Sequence, residues 1–216
     1  MLSAITHIHQ RRGVLRSSID IDRSFRAWEE SCVPSYCHRN LPAAYASWWR
    51  LFRAVQLARR DRPQGGAALD FGASVGELAH LLGSAWDYAF IEENEQAAGC
   101  LQQQLPRARR ATLAGIARGA YDCIFAIDAL EHNDDYAMLI DRLADGLSPG
   151  GVLIISGPTE TWLYKLGRRI AGFEGHYHKT TIFEIEAAAA RRLVQRDLAT
   201  IVPGLPLFRL SVWSGR

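Results

Sequence analysis

From residue 66 onward, short apolar runs alternate with amphipathic stretches, and few folds accept that order. Apolar runs at 67–71, 88–91, 123–127 and 152–156 read as buried strands, with a further strand expected at 111–114. Between them, 77–82, 95–105 and 136–147 carry apolar residues at helical spacing. Ser148-Pro149-Gly150-Gly151 reads as a turn, 181–194 as another helix, and 198–202 and 207–213 as closing strands. Strand–helix alternation predicts an α/β fold, with a doubly wound, mostly parallel sheet covered on both faces. In such a fold the ligand sits beyond the carboxyl ends of the strands, where the strand order reverses.

The first strand–turn–helix carries the strongest local signal. The run Ala68-Leu-Asp70-Phe-Gly72-Ala73-Ser74-Val-Gly76-Glu77 ends a buried strand on an acid and places two glycines in one tight turn. Glycine lets the backbone come close to a ligand where a Cβ would block it, and the helix start behind offers free N–H groups. Glu92 stands 22 residues after Asp70 and directly follows the second strand. An acid there can accept both hydroxyls of a ribose. Glu93, the next residue, is the competing choice for that role.

These residues, with two later segments, resemble class I S-adenosylmethionine-dependent methyltransferases. Asp70-x-Gly72-x-Ser74-x-Gly76 resembles their first motif. Tyr121 to His132 is similar to their fourth strand and the loop after it, and Leu147 to Ser156 to the following turn and fifth strand. The Glu131-His132 pair is similar to the branch that includes quinone-biosynthesis O- and C-methyltransferases. The resemblance covers about residues 66–213. It implies a Rossmann-like sheet of seven strands with the last antiparallel, and S-adenosylmethionine as cofactor. It also implies that Asp70 and the turn Gly72, Ala73, Ser74 and Gly76 hold the methionine part and that Glu92 holds the ribose. Asp128 and Ala129 would line the methionine moiety or the acceptor edge. Two positions depart from the family pattern. Ser74 stands where a middle glycine is common, and Gly115-Ile116 follows the third strand where many members have an Asp, leaving adenine to main chain and Ile116.

A nicotinamide oxidoreductase is the competing enzyme reading, but its pyrophosphate calls for G-x-G-x-x-G, whereas these glycines are spaced Gly72-x-x-x-Gly76. A third reading is a non-catalytic, cofactor-binding or membrane-associated scaffold. Methyl transfer from a sulfonium needs alignment and exclusion of water, and a base only when the acceptor must lose a proton. His132, in the loop after the fourth strand, is the first candidate base, and His176 and His178 in Gly175-His-Tyr-His-Lys179 are the others. No ligand spacing among them is diagnostic, and no metal is expected.

The N-terminal 1–65 read as a helical extension, in which Tyr45, Trp48, Trp49, Phe52 and Val55 form a helical stripe with Arg50 and Arg53 off it. The resemblance implies a methyltransferase domain over residues 66–216, with a lid insert expected at 157–180. Within the insert, 162–171 has an apolar face and a basic face of Lys165, Arg168 and Arg169, suited to an anionic membrane or an acidic acceptor. With the aromatic stripe it would roof an apolar acceptor pocket. The expected acceptor is therefore small or lipid-like, and more anionic than cationic.

The formal charge of +2 hides a split of +6 over 1–60, −8 over 61–156 and +4 over 157–216. The acidic middle coincides with the cofactor motifs and suits a cationic donor. Nucleic acid is not expected, because no recognised module accompanies the basic residues. Cys32, Cys37, Cys100 and Cys123 form no C-x-x-C pair, so reduced thiols and a cytoplasmic location are expected, with peripheral contact at the membrane's inner face. The opening MLSAITHIHQRR has no apolar h-region, and no apolar stretch nears a membrane span.

Overall fold

A computed structural model describes residues 2–19, 28, 32–159, 180–202 and 205–216. Among the described residues, the helices α1 (Leu2–Ser18), α2 (Val33–Cys37) and α3 (Leu41–Asp61) come first. They are followed by β1 (Gly66–Phe71), α4 (Glu77–Leu82), β2 (Trp86–Ile91), α5 (Glu95–Gln104) and β3 (Arg109–Arg110). Next come β4 (Tyr121–Ile127), a 3-10 turn at Leu130–His132, α6 (Tyr136–Gly146), β5 (Leu147–Pro158), α7 (Ile182–Arg192), β6 (Leu193–Val202) and β7 (Leu205–Gly215).

The sheet has seven strands, the number that the resemblance implies, in the order β3-β2-β1-β4-β5-β7-β6. β1 pairs in parallel with β2 and β4, and β4 with β5, while β7 runs antiparallel to both β5 and β6. The order reverses between β1 and β4, which sets the crevice at their carboxyl ends.

Side chains along the central strands alternate between two cores. Cys123, Phe125 and Ile127 face a core shared with α1 to α5, while Ile124 and Ala126 face one shared with α6 and α7. Helices thus cover both faces. Helix α3 buries Trp48, Leu51, Ala54, Val55 and Ala58 against the first core. Tyr45, Trp49 and Phe52 pack partly buried on the same core, so the expected aromatic roof is core packing.

Several boundaries differ from expectation. The third strand is the pair Arg109–Arg110 rather than 111–114. Only Ala111 continues the ladder, its N–H donating to the Phe90 carbonyl at 2.8 Å. Ser148 to Gly151 do not end a strand but sit inside β5, which pairs with β4 before and after them. Register advances from Tyr121↔Leu147 to Cys123↔Val152, so the Pro-Gly-Gly run is accommodated as a bulge, with Gly150 at φ +74°. The final strands are longer than expected. Helix α1 falls within the expected helical extension, although its buried face mixes Ile8 and Leu15 with Arg12 and leaves no clear apolar stripe.

Candidate functional site

The site is built on the β1–α4 turn. Gly72 and Ala73 donate their N–H groups to the Ile91 carbonyl at 2.9 and 3.3 Å, fastening the turn to the end of β2. Gly72 has φ +76°, and a Cβ there would stand 2.5 Å from the Ala129 Cβ. Glycine is thus required by backbone conformation and by close approach of the β4 end. Ser74 takes φ +50°, so the serine adopts the left-handed conformation that ordinarily favours glycine. Its Oγ is buried without a hydrogen-bond partner among the described residues.

Glu92 closes the turn from the β2 side. Its Oε2 accepts the Ser74 N–H at 2.6 Å and its Oε1 accepts the Asn94 N–H at 2.9 Å. A carboxylate has about four acceptor positions, so two bonds to the chain leave capacity for two ligand hydroxyls. Glu93 is exposed, and Asn94 caps α5 by accepting the Ala97 N–H at 3.0 Å. The alternation of β2 thus directs the first glutamate to the turn and the second to solvent.

Asp70, next to the last residue of β1, lies beneath the turn and is 3% exposed. Burial pushes its carboxyl up to about 7, and the charge of Glu92 adds to this. A hydrogen bond from the Tyr88 hydroxyl, 2.7 Å to Oδ2, works the other way.

Asp128 follows β4 in the left-handed region, at φ +52°. Its N–H donates to the Ser156 carbonyl at 3.0 Å, and its Oδ1 accepts the Ser156 hydroxyl at 3.1 Å. Its carboxylate pairs with Arg50. Ala129 is buried against Gly72. The loop after β3 is pinned by Arg142, which donates to the carbonyls of Leu113, Ala114 and Ile116 at 3.1, 2.9 and 2.7 Å. Gly115 there is exposed, while the Ile116 side chain packs into the core beside Gly146. His132 is exposed at the end of the 3-10 turn. His176, His178 and helix 162–171 lie outside the described residues.

Sequence reasoning missed the contribution of the N-terminal helices. Arg50, read as lying off the stripe, is 5% exposed and reaches Asp128 from α3. The signal was its place on the row Ser47, Arg50, Ala54, Leu57, where it is the lone charge at core spacing. Helix α2 lies over the same crevice. Its Tyr36 hydroxyl is raised well above the usual tyrosine range by burial first, and it feels Cys32, Arg50, Glu77 and Asp70. Helix α1 holds α2 in place, with Arg12 donating to the carbonyls of Tyr36 and His38 at 2.9 and 3.0 Å, and Arg16 to that of Cys37 at 2.8 Å. Arg11 of α1 grips Glu77, the first residue of α4, through Nε and Nη2 at 2.9 and 2.7 Å. All four cysteines are free thiols.

The sequence profile of the methyltransferase domain family matches residues 38–196. The chain belongs to this family. It is a methyltransferase. The nicotinamide reading is thereby set aside. Solved structures share the fold at low identity. The PH0226 protein from Pyrococcus horikoshii is 12% identical with a TM-score of 0.65, over 80% of this chain and 92% of that one. A TehB-like SAM-dependent methyltransferase from Corynebacterium glutamicum is 17% identical with a TM-score of 0.59, over 80% and 96%. The N-methyltransferase NodS from Bradyrhizobium japonicum, in complex with S-adenosylhomocysteine, is 17% identical with a TM-score of 0.58, over 77% and 87%. No curated protein matches this chain in sequence. Among the described residues, no helix is long and apolar enough to cross a membrane, and no cluster of three or more His, Cys, Asp or Glu side chains could hold a metal ion.

The residues present fit S-adenosylmethionine, the donor that the resemblance implies. Glu92 keeps spare acceptor capacity, and the Ser74 hydroxyl is a buried orphan on the turn that Glu92 closes.

Proposed function

We propose that the crevice between the ends of β1, β2 and β4 seats S-adenosylmethionine and passes its methyl group to a small or lipid-like acceptor, at oxygen or carbon. The observation that carries this reading is Glu92, a carboxylate bonded to the backbone of the glycine turn with acceptor positions to spare. In this reading Glu92 takes the ribose hydroxyls, and Asp70 with residues 72–76 takes the amino-acid end. Main chain at Gly115 and Ile116 borders the adenine.

The donor supplies a methyl group already activated by its positive sulfur. The chain's part is then orientation and exclusion of water. Helices α1 and α2 exclude water by covering the crevice. Asp128 and Ala129 form the wall at the end of β4 on which the Gly72 turn packs. Where the acceptor is a hydroxyl, His132, in the turn that follows this wall, takes its proton, with His176 and His178 as the alternatives. The Glu131-His132 pair also supports a place near the quinone-biosynthesis branch. The aromatic Phe208 and the neutral Arg50–Asp128 pair at the acceptor end suit an apolar acceptor body. The +4 of the C-terminal third, and the basic face of 162–171, favour an anionic or membrane-borne acceptor.

Transfer to an amine is a second reading. NodS is an N-methyltransferase, and Asp70, Glu92 and Glu131 make the crevice acidic. One screen tests both. A cell extract is incubated with the protein and methyl-labelled S-adenosylmethionine, and labelled products are fractionated. The favoured reading expects label in the organic phase, in ether, ester or carbon-bound methyl. Label only in water-soluble amines would replace it with the second reading, and no labelled product would favour the scaffold.

A further inference from the structure

Arg50 is carried by α3, ahead of the first strand, yet its guanidinium ends at the carboxyl ends of β4 and β5. It is 5% exposed, pairs with Asp128 and lies over the Phe208 ring at 4.2 Å from the centroid. The Asp128 carboxylate it meets is fixed in place, because Ser156 bonds both its N–H and its Oδ1. The next residue, Ala129, lies against the Gly72 turn. An unmatched carboxylate at that point would face the transfer end of the crevice from low-dielectric surroundings.

Such an anion would work against the reaction. As the acceptor's lone pair forms its bond to the methyl carbon, the carbon–sulfur bond breaks with its electron pair going to sulfur, and the positive charge on sulfur is lost. A negative charge nearby therefore stabilises the bound donor more than the transition state, which raises the barrier. At contact distances in a partly buried site, a unit-charge attraction exceeds tenfold in affinity.

We propose that Arg50 is a positioning residue that sets the charge of the transfer end through Asp128. By neutralising that carboxylate it limits how much more tightly the crevice holds the charged donor than the neutral-sulfur product. It also fixes the left-handed turn after β4. Helix α3 is thereby part of the methyl-transfer site and not only packing for the core. The inference rests on the reading that this crevice takes S-adenosylmethionine.

The test is the ratio of two binding constants, measured by calorimetry at pH 8 on the full chain, for S-adenosylmethionine and S-adenosylhomocysteine. Thermal unfolding first establishes that each variant folds. Arg50→Met should raise the preference for the charged donor at least fivefold. Arg50→Lys, which keeps the charge, and the double variant Arg50→Met/Asp128→Asn, which removes both charges, should return it to within twofold of wild type. A merely structural role would weaken both ligands together and leave the ratio alone. A ratio within twofold of wild type in Arg50→Met, or a rise that persists in the double variant, overturns the proposal. If Arg50→Met does not fold, Asp128→Asn reads the same coupling with opposite sign. Its unmatched guanidinium should lower the preference at least fivefold, and an unchanged ratio again overturns the proposal. Wild type that binds neither molecule would refute the donor site itself, an outcome distinct from an unchanged ratio.

Discussion

Binding of the donor should release a proton, and Asp70 should be its source. The carboxyl lies 3% exposed beneath the glycine turn, and burial with nearby Glu92 lifts it from its ordinary range to about 7. At neutral pH the empty protein is therefore about half protonated at this position. A ligand amine placed beside Asp70 favours the ionised form and pulls the carboxyl back toward its ordinary range. If only the ionised form binds well, the loss of affinity grows as the protonated fraction grows. With a midpoint near 7, moving from pH 8 to pH 6 should weaken binding about tenfold, or about 1.4 kcal/mol. Calorimetry with S-adenosylhomocysteine, which keeps the amine, measures this directly. Repeating it at pH 7 in two buffers of different ionisation enthalpy counts the protons released, with about half a proton expected. Asp70→Asn should bind more weakly at pH 8 and lose the pH dependence. The same slope in wild type and Asp70→Asn, or no proton release from wild type, would refute the reasoning.

Other consequences follow from the same contacts. His80 lies beside Arg11 and His7, and burial first, then those two groups, lower it to about 4 from 6.5. The unfolded chain then takes up the proton before the folded one, so stability present above pH 6.5 should fall as pH drops toward 4. This loss is about 1–2 kcal/mol after allowing for the partial exposure of the ring. His80→Gln should flatten that part of the pH–stability curve in urea titrations, and an unchanged slope would rule the histidine out. Arg11→Met strands the buried Glu77 carboxylate and should cost about 3–5 kcal/mol in thermal or urea unfolding. Adding Glu77→Gln should recover part of that cost, and no recovery would show that the ion pair is not the cause. Gly72→Ala forces a Cβ to within 2.5 Å of Ala129 at a positive φ, and should lose at least about 1–2 kcal/mol of stability together with cofactor binding. A variant as stable as wild type would contradict the close approach.

Much of this architecture was legible in the sequence, because the central strands are short apolar runs and their order is enforced by the helices between them. Cys123 to Ile127 and Ala67 to Phe71 are unmistakable for that reason. The Asp70, Gly72 and Glu92 arrangement was legible too, since it depends on spacing along two adjacent parallel strands. The third strand was misplaced because only two arginines pair there, and edge pairing of exposed residues leaves no apolar signature. The strand through Ser148 to Gly151 was missed because Pro and Gly normally end strands, and here a bulge absorbs them. Arg50 was misread for a different reason. A charge is assigned to solvent by default, and only the tertiary pairing with Asp128 and Phe208 explains its burial. The same holds for Arg12, whose burial is balanced by carbonyls 24 and 26 residues away. The left-handed Ser74 shows the limit of motif reading, since the backbone shape is kept where the expected glycine is not.

The most direct test of the account is a calorimetric titration of S-adenosylhomocysteine into wild type, Glu92→Ala and Glu93→Ala. Glu92 meets the glycine turn and Glu93 points to solvent. Glu92→Ala should therefore weaken binding by at least about 1.5–3 kcal/mol, or roughly 10-fold to 100-fold, while Glu93→Ala should bind as wild type does. Equal affinity for all three proteins, or a loss confined to Glu93→Ala, would contradict the placement of the donor in this crevice.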